Sequence, residues 1–268
     1  MMSISRDDGA ATGGLAAGRP AVLVERHDGA GLIRLNRPEK RNAVNERMSA
    51  EALDALNDFE SDAGIRCVIL TGAGDQSFCA GQDMAEASGR EARPAEIRGG
   101  GASGLARRIA SCEKPVVAAI NGFCYGGGLS IALSCDFRLA SDSASFRLPG
   151  ASYGLVVAAT LLTAAVGPAM AKDLTFTART FDAEEALRIG LVNRLLAPAH
   201  LLTTAMDYAR MIAANSPLAV AHAKHVINAA AISTRATERE AEANQVLRGG
   251  EDNVTRFNEA TDRVVRKR

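Results

Sequence analysis

Three features are missing from this sequence of 268 residues, and each absence excludes a class of protein. Lysine plus arginine and aspartate plus glutamate number 31 each, so the chain lacks the net positive charge of a protein that binds nucleic acid through a basic surface. No run of about 18 apolar residues occurs, so the sequence predicts no membrane-spanning helix. The five cysteines form no CxxC pair, which favours a reduced, cytoplasmic interior over a zinc site or a disulfide framework.

Hydrophobic periodicity divides the chain into three parts. Residues 1–20 are small, polar and glycine-rich without the apolar stretch of a signal peptide, so we expect a disordered leader. Residues 21–198 alternate short β-rich runs with helical patterns, which predicts an α/β core. Residues 199–268 are mainly helical in pattern, and we expect them to join subunits. The apolar stripe that we expect between subunits is Leu201, Leu202, Ala205, Met206, Ala209 and Ile212.

Local signals place the individual elements. Two apolar runs around Asp28-Gly29 predict a hairpin, and helical spacing over 45–62 follows a capping residue, Asn45. Strands are predicted at 66–71, 116–120, 137–140, 145–146 and 191–195. Helices are predicted at 103–112, after Gly126 to about 135, and at 159–166, 168–177, 183–189, 199–215, 217–231 and 235–249. Residues 86–101 are rich in charge and glycine and predict a mobile surface segment.

Two of the glycine-containing segments resemble known motifs incompletely. A dinucleotide loop beginning at Gly72-Ala-Gly74 would need glycine at 77, where Ser77 stands, so nicotinamide binding is not favoured. Residues 128–132 (GLSIA) approximate the nucleophile elbow of a serine hydrolase. That elbow requires a strand that runs directly into the serine, and a histidine partner. The downstream candidates are His200, His222 and His225, all in predicted helices.

A third feature combines two loops, each of which follows a predicted strand. Residues 79–83 (CAGQD) follow one strand, and residues 125–128 (YGGG) follow another and open a helix. Backbone N–H groups at a helix N-terminus carry partial positive charge. If the two loops lie side by side, they can aim two N–H donors at one oxygen. Such an oxyanion hole suits a thioester carbonyl that becomes enolate-like.

In these segments the sequence resembles the enoyl-CoA hydratase/isomerase, or crotonase, superfamily. The resemblance covers about residues 21–257 and implies a spiral of β-β-α units with a helical C-terminal region. It also implies trimers or hexamers, a coenzyme A thioester as substrate, and no further cofactor or metal. The matching segments are 35–44 (LNRPEKRNAV), 68–72 (VILTG), 78–83 (FCAGQD), 114–122 (KPVVAAING), 126–128 (GGG), 135–136 (CD) and 186–193 (ALRIGLVN).

The resemblance also implies roles for individual residues. By position, the oxyanion donors are the N–H groups of Gln82 and Gly127. The predicted CoA-binding residues are Arg37, Arg41, Ala43, Ala80, Gln82, Asp83 and Met84.

The sequence departs from the family pattern where acid–base catalysis is expected. Family hydratases carry glutamates at the positions of Ser130 and Gly150, and the glycine suggests a positive φ there. Hydration of a double bond needs a base for the water and an acid for the α-carbon, so we expect weak hydration. Tyr153 is the polar residue nearest to Gly150 that we consider as a replacement for the missing groups.

The sequence therefore predicts an acyl-CoA enzyme of the hydratase/isomerase type that acts through an enolate. Three alternatives stay open, namely a non-catalytic acyl-CoA carrier, a decarboxylase and a Ser130-dependent thioesterase. Decarboxylation is among them because loss of CO₂ itself generates the enolate. The expected partners are the acyl-CoA and further copies of the chain, without nucleic acid or membrane.

Overall fold

The computed structural model describes residues 19–88 and 100–265, and its elements follow the predicted α/β pattern. The strands are β1 (Val22–His27), β2 (Gly29–Leu35), β3 (Ile65–Gly72), β4 (Ser77–Cys79), β5 (Val116–Ile120), β6 (Phe123–Tyr125), β7 (Phe137–Ser141), β8 (Ser145–Arg147), β9 (Thr180–Asp182) and β10 (Arg194–Leu196). The helices are α1 (Glu46–Ser61), α2 (Met84–Ser88), α3 (Gly101–Ala110), α4 (Gly127–Ser134), α5 (Ala159–Thr177), α6 (Ala183–Arg188), α7 (Pro198–Ala213), α8 (Pro217–Ala231), α9 (Thr234–Leu247) and α10 (Glu251–Val265). Short 3-10 helices lie at Pro38–Lys40 and Ala151–Tyr153.

The strands pair into two sheets that the chain visits in turn. The larger sheet has the order β1-β2-β3-β5-β7-β10 and the smaller one β4-β6-β8-β9. The pairs β3–β4, β5–β6 and β7–β8 each give one strand to the larger sheet and the next strand to the smaller, and a helix follows. This succession is the spiral of β-β-α units that the resemblance implied.

The larger sheet is covered on both faces, as the side chains of β5 show. Successive side chains of a strand point to opposite faces. Val116, Ala118 and Ile120 enter the main core, which contains α1, α3 and α4. Val117 and Ala119 enter a second apolar cluster on the other face. All five residues are fully buried, which explains the continuous apolar run in the sequence.

Helix α7 supplies the cover of that second face. Leu201, Ala205 and Ala209 are buried against the larger sheet, and the rest of the predicted stripe packs around the same cluster. The prediction that this stripe lies between subunits is therefore wrong, because its apolar surface is used within one chain. Helix α7, which begins at Pro198, is thus a layer of the core.

Local signals correctly predicted the first hairpin and the first helix. The hairpin β1–β2 is antiparallel, with Gly29 at φ 72° in its turn. Helix α1 begins after Asn45, whose side-chain oxygen accepts a hydrogen bond from Met48 N–H at 2.9 Å. Met48 and Phe59 are fully buried on its apolar face.

Elsewhere the structure differs from the prediction in the number of strands and in the bounds of some elements. The strands β4, β6 and β9 were not predicted, because three residues are too few to show a period of two. The strand predicted at 191–195 lies instead at Arg194–Leu196, and α10 was not predicted beyond its general helical pattern. The predicted break at Gly167 is present as a kink in α5, where φ is 78° and ψ is 163°.

Two predicted segments fall largely outside the described residues. These are residues 1–18 of the leader and residues 89–99 of the predicted surface segment. Arg19 and Pro20, which we assigned to the leader, both hydrogen-bond to the Asn36 side chain and belong to the folded unit. Within the described ranges, no helix is long and apolar enough to cross a membrane, and no cluster of side chains has the composition of a metal site.

Candidate active site

Sheet topology brings the two glycine loops together. β4 and β6 are parallel neighbours in the smaller sheet, with Cys79 paired to Cys124. Because the carboxyl ends of parallel strands meet at the same edge, the segment 80–83 after β4 lies beside the turn at Gly126 after β6. The adjacency that we inferred from the sequence as a possibility is therefore present.

The loops approach each other so closely that side chains are excluded. Gly81 has φ of 104°, and a Cβ on it would lie 3.0 Å from Tyr125 O and 3.1 Å from Gly127 N. A Cβ on Gly128 would lie 2.1 Å from Cys79 O, well inside van der Waals contact. Glycine is required at both positions by this backbone contact.

The close approach leaves two N–H donors side by side. Gly127 is the first residue of α4, so its N–H has no acceptor within the helix. The position that a Cβ on Gly127 would occupy is 3.4 Å from Gln82 N. Within the described part of the chain, neither Gln82 N–H nor Gly127 N–H donates a hydrogen bond. Two adjacent donors at the positive end of a helix are the feature from which the sequence predicted an oxyanion hole.

The predicted CoA-binding segments join at the same place. Ala80 N–H donates to Arg41 O at 3.0 Å, and Arg37 contacts both Ala43 O and the Asp83 carboxylate. The Arg41 side chain is exposed, and its guanidinium lies over the Phe123 ring, 5.1 Å from the ring centroid.

Met84 begins α2 and is half-buried. The structure thus brings six of the seven predicted CoA-binding residues into one pair of adjoining loops, with Met84 directly after them in the chain.

Comparison with known proteins identifies the family. A sequence model of the enoyl-CoA hydratase/isomerase family matches residues 25–262. The chain belongs to the enoyl-CoA hydratase/isomerase family. It is 42% identical over 212 residues to a short-chain-enoyl-CoA hydratase of Clostridium acetobutylicum. The aligned region covers 77% of this chain and 80% of the relative. It is 41% identical over 197 residues to a carnitinyl-CoA dehydratase of Salmonella arizonae. That alignment covers 72% of this chain and 75% of the relative.

A solved structure shares the fold along nearly the whole chain. The crystal structure of an enoyl-CoA hydratase/isomerase from Pseudoalteromonas atlantica superposes with a TM-score of 0.80 at 31% identity. The match covers 92% of this chain and 98% of the other. The chain is therefore an enzyme of the hydratase/isomerase type, and its fold is that of the family.

The resemblance implied glutamates at two positions, Ser130, which lies three residues after the Gly127 donor, and Gly150. Ser130 N–H and Oγ both face the carbonyl of Gly126, at 3.0 and 3.4 Å, in the first turn of α4. Gly126 N–H donates to Arg147 O, and a Cβ on Gly126 would lie 3.8 Å from the ring of Pro149, the neighbour of Gly150. Neither position supplies a group that titrates near neutral pH.

Gly150 is not held in a left-handed conformation, contrary to our expectation. Its φ is −49° and its ψ is −53°, values that any residue adopts. Space is the constraint, because a Cβ would lie 2.8 Å from Val157 Cγ2 and 2.9 Å from Leu155 O. A glutamate here requires the following loop to move.

Tyr153 packs against the C-terminal helix. Its ring meets the Phe257 ring edge-on with centroids 6.2 Å apart, and its carbonyl accepts a hydrogen bond from Asn253 Nδ2 at 2.7 Å. Among the described residues its hydroxyl has no hydrogen-bond partner. The structure thus gives Tyr153 a packing role between the Ala151–Tyr153 turn and α10.

Residues 128–132 do not form a serine-hydrolase elbow. Ser130 is the fourth residue of α4 and does not stand at a sharp turn from strand to helix. The downstream histidines are exposed on their helices, and His225 Nε2 lies 3.0 Å from a Glu113 carboxylate oxygen. Burial raises the pKa of the Cys79 thiol to about 12, so this neighbour of the loops is not a thiolate nucleophile at neutral pH.

Asn42 holds the predicted CoA-binding loop together and was not singled out from the sequence. It is fully buried, its Oδ1 accepts from Arg37 N–H, and its Nδ2 donates to Ala73 O and Ser77 O. Its φ of 55° is a conformation that asparagine tolerates better than most residues. The only signal in the sequence was its place within the segment 35–44, which carries the family resemblance.

Proposed function

We propose that this protein converts an acyl-CoA thioester through an enolate whose oxygen binds the N–H groups of Gln82 and Gly127. The observation that carries the proposal is the pair of adjacent N–H donors without acceptors among the described residues. The hydratases and dehydratases among its relatives act on CoA thioesters by name, which supports the substrate class.

The proposed chemistry begins at the thioester carbonyl. When the α-carbon loses a proton or CO₂, the electron pair of the broken bond moves toward the carbonyl oxygen, which becomes negatively charged. Fixed donors near that oxygen stabilise the charge, and removal of one such donor typically costs about 10²–10³-fold in rate. The N-terminus of α4 adds its partial positive charge on the same side.

Hydration is the weaker activity in this proposal. A positioned general acid or base typically contributes about 10²–10⁴-fold, and Ser130 and Gly150 supply neither. Reactions in which the substrate provides the electrons, above all decarboxylation of a malonyl-type CoA, need the donors more than they need a base. Isomerisation of an enoyl-CoA is a second reaction that can pass through the same enolate, with a side chain other than residues 130 and 150 moving the proton.

A turnover panel tests the proposal. The purified protein is assayed with short and long enoyl-CoAs and with malonyl-type CoAs, and binding of each is measured alongside. We expect crotonyl-CoA hydration far below decarboxylation or isomerisation. Hydration as the fastest reaction would refute the role given to the missing carboxylates. Tight binding without any turnover would refute the enzymatic role and favour a non-catalytic acyl-CoA carrier.

We also propose that the chain assembles into trimers or hexamers through its last helices. Leu218 and Val226 on α8 are exposed to 72% and 69%, and Val246 on α9 to 82%. Association removes such side chains from water, which is favourable by about 25 cal/mol per Å². A solution mass equal to the 28.0 kDa of one chain at micromolar concentration would contradict this assembly.

A further inference from the structure

The direction of the Gln82 N–H is set by the opposite side of its own peptide group. The carbonyl of Gly81 belongs to that peptide and accepts a hydrogen bond from Val44 N–H at 2.8 Å. In a planar trans peptide the carbonyl and the N–H point in opposite directions, so this bond aims the Gln82 N–H away from Val44. The following peptide is fixed too, because Asp83 N–H donates to Val44 O at 2.9 Å.

An ion pair holds together the two segments that the Val44–Gln82 bridge joins. Arg37 Nη1 lies 2.9 Å from an Asp83 carboxylate oxygen and 2.8 Å from the carbonyl oxygen of Ala43. Asp83 adjoins Gln82 in the chain, and Ala43 adjoins Val44, so one guanidinium holds both sides of the bridge. The two side chains are only 17% and 14% exposed. The clamp is therefore shielded from competing water and salt.

We propose that Arg37 and Asp83 are positioning residues for the oxyanion hole and not ligands of coenzyme A. The inference rests on the proposed function, since it assigns the residues that orient its donor at Gln82. A phosphate of CoA would have to share the Arg37 guanidinium with a carboxylate that already neutralises it. The clamp acts on the Gln82 N–H through the Val44–Gln82 bridge, because the two groups that Arg37 holds, Ala43 O and the Asp83 carboxylate, belong to residues that adjoin this bridge.

Kinetics with two thioesters separates positioning from CoA binding. Asp83→Ala and Arg37→Met are assayed with an acyl-CoA and with the matching acyl-pantetheine, which lacks the nucleotide. We expect kcat to fall by about 10²-fold with both thioesters, because a misplacement of about 1 Å in a reacting geometry has that effect. A rise in KM confined to the acyl-CoA, with kcat unchanged, would overturn the proposal.

Two further variants control for folding. Asp83→Asn keeps an acceptor oxygen beside Arg37 and should retain the fold and part of the rate, even if Asp83→Ala does not fold. Glu185→Ala removes a similarly shielded carboxylate, 19% exposed, from its pair with Arg179 at α6. We expect this matched loss of an ion pair to leave kcat and KM unchanged.

A spectroscopic measurement distinguishes failure of the inference from failure of the proposed function. The infrared stretch of a ¹³C-labelled thioester carbonyl in bound butyryl-CoA reports hydrogen bonding to its oxygen without any turnover. We expect a lower frequency in the wild type than in free butyryl-CoA, and loss of at least half of that shift in Asp83→Ala. No shift in the wild type would refute the oxyanion hole itself. A full shift retained in both Asp83→Ala and Arg37→Met would refute only the clamp.

Discussion

Replacement of Gly127 by alanine tests the oxyanion hole with a single methyl group. Gly127 begins α4, and the added Cβ would lie 2.6 Å from the Cβ of Ala102 in α3 and 3.4 Å from Gln82 N. Carbon atoms prefer separations of about 3.5–4.0 Å, so the two helices must separate by about 1 Å at this point. Since the Gly127 N–H moves with its residue, the donor pair loses its spacing.

The expected loss of rate follows from this displacement. A donor that no longer reaches the oxyanion costs about 10²–10³-fold in kcat, which is ~3–4 kcal/mol of transition-state stabilisation. Overpacking in a core costs about 1–3 kcal/mol of unfolding free energy, so the fold should persist. The assay compares kcat and the thermal midpoint of Gly127→Ala with those of the wild type, using the thioester that the wild type turns over fastest.

Two variants isolate the cause. Gly64→Ala adds a methyl group at an exposed turn, where it meets only an Asp62 carboxylate oxygen at 3.2 Å, and it should keep the wild-type rate. Ala102→Gly combined with Gly127→Ala removes the colliding methyl group and should recover much of the activity. A folded Gly127→Ala with an unchanged kcat would show that the N–H of residue 127 takes no part in the reaction.

The remaining predictions concern groups around the same site. Ser130→Glu should raise crotonyl-CoA hydration by about 10²-fold, measured by loss of enoyl absorbance, and no gain in a folded variant would contradict the assignment of this position. Gly150→Glu should lower the free energy of unfolding in urea by about 1–3 kcal/mol, because its Cβ meets Val157 and Leu155, and an unchanged value would show that the loop yields freely. Asn42→Ala should cost about 3 kcal/mol in the same urea titration, since it leaves buried carbonyls and an N–H without partners, whereas a loss below about 0.5 kcal/mol would argue against its bridging role. An acyl-CoA at 100 times its dissociation constant should stabilise the protein by about 2.7 kcal/mol, and the absence of a thermal shift with several acyl-CoAs would count against the substrate class.

The elements with strong local signals were predictable. The 116–120 run is apolar at every position because both faces of β5 are covered, and helix α1 carries a capping asparagine with apolar residues at helical spacing. The three-residue strands β4, β6 and β9 were not, since their pairing with neighbours in the smaller sheet, and no internal period, makes them strands. The apolar stripe of α7 was correctly found but assigned to the wrong surface. A stripe shows that a helix face is buried, whereas the partner that buries it is a matter of tertiary packing.

For the site, the sequence determined which chemical groups are available. It supplies glycines at 81, 126, 127 and 128, and it places Ser130 and Gly150 where the resemblance implied glutamates. Only the tertiary structure decided that Gln82 N and Gly127 N lie together and that Arg37 pairs with Asp83. These contacts join residues about 45 positions apart in the chain, so they depend on the parallel register of β4 and β6 and on the bridge between Val44 and Gln82. Backbone donors carry no side-chain signature, and for that reason only the fold can show where they point.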